Sequence, residues 1–150
     1  MTVPDPTEVS APWWQATREG RLLLQRCRAC GGHQHYPRAL CTACGGTDLE
    51  YVAASGRGII YSHTTVHRAV SERGERGPAG LEPPYAVALV RLEEGPLLLS
   101  NVIGCEPAAL RCDQPVRVAW RPLADGRRLP VFTPVERASK ESSGGLSVER

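Results

Sequence analysis

The chain has 150 residues, a length that fits one medium domain, or one domain with a small appendage. Its formal net charge of +2 is too small to argue by itself for a polyanionic partner. The N-terminus has no basic start and no apolar run, and the longest apolar stretch (85–90) is far shorter than the roughly 18 residues that span a bilayer. We therefore expect a soluble cytoplasmic protein without membrane association.

The N-terminal segment, residues 1–21, predicts one short helix that begins at residue 8 or 10 and ends at residue 19. Ser10 is a residue type that caps helix N-termini, and Pro12 suits a first turn. Gly20 is a typical residue just past a helix end.

Two adjacent tryptophans, Trp13 and Trp14, lie in this predicted helix. The segment beside them is small, so we expect at least one of the two side chains to be exposed. Large exposed aromatic side chains commonly anchor contacts with another protein. The equally open alternative is that both pack on the rest of this chain. Both residues are candidates for binding a partner.

Six cysteines in a cytoplasmic protein favour metal ligands and free thiols over disulfides. Two Cys-x-x-Cys pairs, separated by ten residues and each followed by Gly-Gly, contain Cys27, Cys30, Cys41 and Cys44. Predicted strands at 22–26 and 49–52 lead into and out of this cluster. Because four thiolates satisfy tetrahedral Zn²⁺, the pattern predicts a structural zinc ion in a ribbon spanning residues 22–52.

The same cysteine pattern leaves alternatives open. A redox dithiol normally opens a helix in a βαβ setting, which this sequence does not resemble. Iron also suits four thiolates, and His33 or His35 between the pairs are substitute ligands. Four thiolates leave no open position for catalysis. Gly31 and Gly45 are expected to adopt positive φ, which turns backbone N–H groups toward the sulfurs.

The remainder of the chain predicts a small antiparallel barrel over residues 53–136. Five strands are expected at 58–67, 85–92, 96–103, 115–121 and 129–135, with one helical turn at 106–110. A polar, turn-rich insert at 71–84 predicts a mobile loop, and residues 137–150 predict a disordered tail. The fold class is therefore mainly β.

Several motifs in a fixed order resemble a known family. They are a tryptophan-bearing helix (12–16), two glycine-flanked cysteine motifs (20–31 and 36–45), and later segments at 55–62, 84–96 and 129–134. Over roughly residues 10–136 this order resembles the proteins that pair a rubredoxin-like zinc ribbon with an OB-fold. That family, long catalogued as a domain of unknown function, accompanies thiolase-like acyl-CoA enzymes. The Cys112–Gln114 stretch departs from it, because family members often place a glycine there, and position 105 is also a cysteine.

The resemblance implies a fold and a function. The fold is an N-terminal helix, a rubredoxin-like zinc ribbon and a five-stranded OB-fold barrel. The function is that of a non-catalytic accessory subunit in a hetero-oligomer with a thiolase-superfamily acyltransferase, thiolase or aldolase. The ribbon and helix dock on the partner, and the OB-fold helps hold the coenzyme A thioester.

A coenzyme A thioester requires cationic side chains near its phosphates and an apolar track for the acyl arm. The candidates on or near the predicted strands are Arg57, His67, Arg68 and Arg91. Each is more often simply a surface charge. His63 and His67 are expected on one face of a strand with Tyr61 and Thr65.

Two other functions remain open. A single-stranded nucleic-acid binder would stack bases on Tyr61, Tyr85, Trp120 and Phe132, although the small charge excess makes nucleic acid an unexpected partner. An independent acyltransferase or thioesterase would use Cys105 or Cys112 as its nucleophile, whereas free cysteines are usually inert small hydrophobes.

Overall fold

The computed structural model describes residues 5–68 and 80–135, which form one helix, a three-stranded ribbon sheet and a closed five-stranded barrel. This order confirms the mainly β class expected from the sequence. Residues 71–79 of the predicted mobile loop lie outside the described residues, and so does the whole predicted tail, 137–150.

Helix α1 spans Ala11–Arg18 and ends in a Schellman motif. The backbone N–H of Arg21 donates to the Ala16 carbonyl at 3.0 Å, and that of Gly20 donates to the Thr17 carbonyl at 3.1 Å. Gly20 adopts φ 69°, as its predicted place past the helix end requires. The predicted side-chain cap is wrong. Ser10 occupies the N-cap position, but its backbone is helical and its hydroxyl forms hydrogen bonds with Thr7 instead of capping the helix.

Three short antiparallel strands make the ribbon sheet, in the order β2-β1-β3. They are β1 (Leu23–Cys27), β2 (His33–Gln34) and β3 (Leu49–Ala53). The sequence predicted β1 and β3 but not β2, because two residues are too few to show an alternating pattern. The register sets Gln25 opposite Gln34.

The barrel has the strand order β4-β5-β6-β8-β7 and closes between β7 and β4. Its strands are β4 (Arg57–Val66), β5 (Tyr85–Leu92), β6 (Leu97–Val102), β7 (Pro115–Pro122) and β8 (Arg128–Pro134), with a 3₁₀ turn at Pro107–Ala109. Each strand lies within one residue of its predicted bounds. One pairing differs from the predicted antiparallel arrangement, since β6 and β8 run parallel where Val102 faces Phe132.

A single hydrophobic core joins the helix, the ribbon and the barrel. Its barrel centre contains fully buried Ile60, Val90 and Phe132, and the helix adds Trp13. Residues 22–24, three leucines that precede the first cysteine pair of the ribbon, belong to the same core. The ribbon is therefore fixed to the barrel by shared apolar burial.

A β-bulge in β4 changes which side chains share a face. Ile60 pairs with Val90 and Ser62 with Leu89, so Tyr61 has no partner across the ladder. Beyond the bulge, half-buried His63 and Thr65 lie opposite buried residues of β5, whereas Tyr61 is exposed. The predicted shared face therefore holds for His63 and Thr65 but is wrong for Tyr61, because one extra residue reverses the alternation, and His67 lies just past the end of β4.

We expect Gly56→Ala to destabilise the barrel more than Gly95→Ala. Both glycines have positive φ (72° and 107°), so both substitutions strain the backbone. A Cβ at Gly56 would lie 2.4 Å from a methyl carbon of Val118, whereas a Cβ at Gly95 meets nothing within 4 Å. The extra overpacking should cost about 1–3 kcal/mol in the free energy of unfolding, measured by urea denaturation of the zinc-loaded protein. Equal losses in the two variants would contradict this packing argument.

Candidate metal centre

Two knuckles of identical backbone geometry present the cysteines. In the first knuckle, residues 27–32, the Cys27 N–H donates to the Gly32 carbonyl at 2.9 Å. The Cys27 carbonyl accepts from the Gly31 N–H at 2.8 Å. Residues 41–46 repeat these bonds at 2.8 and 2.9 Å. Gly31 and Gly45 both have φ 74°, as predicted from the Gly after each cysteine pair. The sequence repeat is thus a structural repeat.

The four sulfur atoms of the knuckles meet at one point. All lie within 4.8 Å of one another, with 3.7 Å between Cys27 and Cys44 and 3.6 Å between Cys30 and Cys41. Four sulfurs bound tetrahedrally at about 2.3 Å from one zinc ion would be about 3.8 Å apart. The cluster has the spacing of a closed four-thiolate metal site.

Backbone donors lower the pKa of two thiols of this cluster, whereas the neighbouring thiols shift these two pKa values in opposite directions. The N–H groups of Cys44 and Ala43 lower the pKa of Cys41 to about 6. The Gly46 N–H also lowers the pKa of Cys44, but hydrogen bonding with the three neighbouring thiols outweighs it and raises that pKa to about 12. Four thiolates so close together therefore require a compensating cation.

The histidines weighed as substitute ligands lie apart from this cluster. Among residues 5–68 and 80–135, the only group of three or more potential ligands that converges is the four cysteines. His35 packs against Trp13 instead, with 5.6 Å between ring centroids. Its burial lowers the pKa of the imidazole to about 4.

A buried pair of glutamines holds the segment that leads to the second knuckle. Gln34 Nε2 donates to Gln25 Oε1 at 2.8 Å, and the two side chains are only 6% and 4% exposed. Gln25 also accepts from the Arg38 N–H, and Gln34 accepts from the Thr42 N–H, both at 2.8 Å. The sequence analysis missed this pair, since only the strand register shows that the two amides face each other.

Both tryptophans pack on the body of the protein. Trp13 is 8% exposed and meets Trp14 edge to face, with 4.7 Å between centroids. Trp14 is partly exposed, and the guanidinium of Arg127 lies 4.5 Å from its ring centroid. The alternative in which both pack on this chain is the one observed, and a partner contact by Trp14 stays a prediction.

The four residues predicted to contact coenzyme A fall into two separate groups. Arg57 and Arg91 border a cavity of about 430 Å³, together with Arg117, which lies opposite Arg57 across the β4–β7 ladder. Exposed His67 and Arg68 follow the other end of β4, which is ten residues long, and neither borders this cavity. The sequence analysis missed Arg117, because the barrel closure that brings it there joins distant strands.

Neighbouring groups already engage two of the arginines at this cavity. Arg57 forms an ion pair with Glu93 at 2.7 Å, and both side chains are at least half exposed. Its hydrogen bond to Glu93 raises the pKa of Arg57 and lowers that of Glu93. The guanidinium of Arg91 lies 4.4 Å from the Tyr61 ring centroid. Such exposed pairs are weak, so both cations remain able to meet an anion.

The structure gives little support to a cysteine nucleophile. Cys105 is half-buried, and its burial, followed by the charge of Glu106, raises the pKa of its thiol. A raised pKa lowers the thiolate fraction that attack requires. Cys112 is exposed beside Asp113, whose φ is 60°.

The aromatic residues weighed for base stacking do not form an exposed platform. Phe132 is fully buried, Tyr85 and Trp120 are half-buried, and only Tyr61 of this set is 48% exposed. Stacking of successive bases needs several exposed faces. In the part of the chain that the structure describes, no helix is long and apolar enough to cross a membrane.

Two cysteine knuckles and a closed five-stranded barrel on one shared core define the protein class: a rubredoxin-like zinc ribbon joined to an OB-fold. Family models described as the ChsH2 rubredoxin-like zinc ribbon domain and the ChsH2 C-terminal OB-fold domain match residues 14–50 and 51–121. The chain belongs to this family, the DUF35 or ChsH2-type proteins, as the resemblance predicted.

Three curated relatives illustrate the family. A "DUF35 domain-containing scaffold protein" of Pyrococcus furiosus is 31% identical, covering 80% of this chain and 83% of its own length. "Benzoylsuccinyl-CoA thiolase subunit BbsA" of Thauera aromatica is 28% identical, covering 83% and 82%. A "probable enoyl-CoA hydratase alpha subunit" of Thermomonospora curvata is 38% identical over 83% of this chain. The chain spans only 37% of that last relative's length.

A solved structure agrees with the family assignment. A chain of the "Ltp2-ChsH2(DUF35) aldolase" superposes with a TM-score of 0.76 at 36% sequence identity. The match covers 88% of this chain and 98% of that one.

We expect Cys27→Ala to lower zinc affinity at least about 100-fold, because three thiolates replace a closed set of four. Metal content after dialysis against a chelator, measured by mass spectrometry, checks this, and amide NMR signals of the ribbon should collapse while those of the barrel persist. Cys112→Ala is the matched control and should keep its metal. Normal metal content in Cys27→Ala would refute the ligand set.

Gln34→Ala should weaken zinc binding about 10-fold without removing a ligand. The change leaves the Thr42 N–H without its acceptor and the Leu40 carbonyl without its donor, so the segment entering the second knuckle loses part of its support. Competition with a chromophoric chelator measures the affinity. Gln15→Ala, on the exposed side of α1, should bind zinc like the parent protein.

His35 makes stability depend on pH in a defined window. The unfolded imidazole has a pKa of 6.5 and the folded one about 4, so the unfolded state binds more protons between these values. The stability contribution is complete above pH 6.5 and is lost as the pH falls toward 4, about 2 kcal/mol between pH 7 and 5. Between pH 7 and pH 5, the free energy of unfolding measured by urea denaturation should fall by about 2 kcal/mol more for the parent protein than for His35→Phe. Both proteins contain the same cysteines, so the titration of these thiols cancels in the difference. An NMR midpoint near 6.5 for His35 would contradict the shift.

Proposed function

We propose that this chain is a non-catalytic scaffold subunit of a thiolase-superfamily acyl-CoA enzyme. The observation that carries the proposal is the match to a chain of the "Ltp2-ChsH2(DUF35) aldolase", at 36% identity over 98% of that chain. Relatives named as a scaffold protein and as a CoA-thiolase subunit, each covered over most of its length, support the same role.

The absence of a catalytic cluster among the described residues supports the non-catalytic part of the proposal. The converging cysteines form a closed set without an open coordination position. The half-buried Cys105 has a raised thiol pKa. Neither group offers an activated nucleophile, so we assign the chemistry to the partner enzyme.

We propose that Cys27, Cys30, Cys41 and Cys44 bind one structural Zn²⁺. The ribbon strands are two to five residues long, and their apolar side chains, residues 22–24 with Tyr51 and Val52, pack in or against the core shared with the barrel rather than forming a core of the ribbon's own. An ion in the sulfur cluster would supply the folding free energy that this small sheet lacks. A rigid ribbon, with the partly exposed Trp14 beside it, is then suited to contact the partner.

For the coenzyme A thioester, we propose that its phosphates lie at the cavity bordered by Arg57, Arg91 and Arg117. Three guanidinium groups from strands β4, β5 and β7 border the same cavity, and guanidinium groups bind phosphate through paired hydrogen bonds. Glu93 offsets part of this charge. His67 and Arg68 do not contribute to this cavity, and their role stays a prediction.

Co-purification tests the scaffold proposal. The tagged, zinc-loaded chain, co-expressed with a thiolase-like protein from the same genome, should elute with that protein as one complex on size exclusion. Cys27→Ala, whose ribbon is disrupted, should lose the complex, while Cys112→Ala keeps it. Separate elution of the two parent proteins, or acyl-CoA turnover by the isolated chain, would overturn the proposal.

Calorimetry on the complex tests the coenzyme A site separately. Arg91→Gln and Arg117→Gln should each weaken acetyl-CoA binding roughly 5-fold while the complex stays intact. Arg28→Gln, which removes an exposed ribbon cation paired with Glu50, should not change binding. Unchanged affinity in the first two variants would refute this site without affecting the scaffold role.

A further inference from the structure

The cavity bordered by the three arginines also contains one acidic residue, Glu93, which directly follows strand β5. Its carboxylate contacts Arg57 through both oxygens. Arg57 Nε donates to Oε1 at 2.8 Å, and a terminal guanidinium nitrogen lies 2.7 Å from Oε2. A guanidinium binds phosphate through the same paired geometry. Glu93 therefore occupies the position on Arg57 that two phosphate oxygens would take.

The pairing of the barrel strands explains why a carboxylate lies at this position. Arg57 and Arg117 are direct partners across the antiparallel β4–β7 ladder, and like charges in that relation repel each other. Arg91 adds a third positive charge from β5, and apart from Glu93 every other residue that lines the cavity is uncharged. Glu93 thus offsets part of a repulsion that the strand register imposes.

The Glu93 side chain is able to leave Arg57 while its backbone stays in place. The backbone N–H of Glu93 donates to the Arg57 carbonyl at 3.0 Å, and the N–H of Gly95 closes the turn on the Leu92 carbonyl at 2.9 Å. The side chains of Arg57 and Glu93 are 55% and 50% exposed, and an ion pair so exposed is weak. A rotation of the side chain alone brings the carboxylate into water.

We propose that Glu93 is a displaceable placeholder for a ligand phosphate on Arg57. A single carboxylate would exchange for Glu93 like for like, whereas a diphosphate is able to contact a second arginine as well. The ligand class that displaces Glu93 is therefore a multiply charged phosphate group. This inference rests on the coenzyme A site proposed above and names the residue that limits its affinity.

Inorganic pyrophosphate and acetate, the latter an analogue of the Glu93 carboxylate, test this chemistry. Each is titrated into the ¹⁵N-labelled, zinc-loaded full chain at constant ionic strength. Pyrophosphate should shift the Arg57 Nε–H resonance saturably, because the acceptor of this group changes from carboxylate to phosphate. The resonance is assigned by its loss in Arg57→Gln. Acetate at the same concentrations should give no saturable shift.

Glu93→Gln should bind pyrophosphate about 3-fold more tightly than the parent protein, because one weak exposed ion pair no longer competes. Glu94→Gln is the matched control. It removes the same charge one residue away, but Glu94 accepts from the Ser55 N–H and does not line the cavity, so the affinity should not change. In an Arg57→Gln background, Glu93→Gln should give no gain, because the contact that it removes is already absent.

The outcomes separate this inference from the site on which it rests. If neither the parent protein nor Glu93→Gln bound pyrophosphate saturably, the anion site and the placeholder would both be overturned. Four other results would overturn the placeholder alone: an unshifted Arg57 Nε–H resonance, equal affinities in the parent and Glu93→Gln, an equal gain in Glu94→Gln, or a gain that persists without Arg57. None of these results bears on whether the complex with the partner enzyme forms.

Discussion

Four cysteine sulfurs packed within 4.8 Å are the constraint on which the ribbon depends. Thiolates at this distance repel one another, and hydrogen bonding with the three neighbouring thiols raises the pKa of Cys44 to about 12 although the Gly46 N–H lowers it. In the proposed site, one divalent cation would remove this conflict and tie the two knuckles together. A sheet with a two-residue strand would then be rigid enough to present a surface.

Apolar packing and amide hydrogen bonds connect the segments around the sulfur cluster to the rest of the protein. The leucines at 22–24 enter the barrel core directly, so the ribbon does not hang from a flexible linker. The buried glutamines Gln25 and Gln34 hold the segment between the knuckles by amide hydrogen bonds. This segment continues into His35 and Tyr36, which border a cavity between the helix, the ribbon and the barrel.

The cavity beside Arg57 and the cavity beside His35 have opposite chemistry. Arginines from three barrel strands border one, whereas uncharged aromatic and aliphatic residues line the other. A phosphate-bearing cofactor suits the first cavity. A scaffold subunit with this feature would hold part of a substrate as well as join a partner, and in the proposed role the bond-making groups belong to that partner.

The sequence by itself determined the cysteine cluster and the barrel strands, because cysteine spacing, alternating polarity and turn residues are local properties of the chain. The order of its motifs also indicated the family. It did not determine the Gln25–Gln34 pair, the bulge at Tyr61, the place of Arg117 beside Arg57, or the burial of Trp13. Each of these depends on which distant strand lies alongside, and on a register that one extra residue reverses. Only the closed barrel and the shared core fix those long-range pairings, so only the tertiary structure decided them.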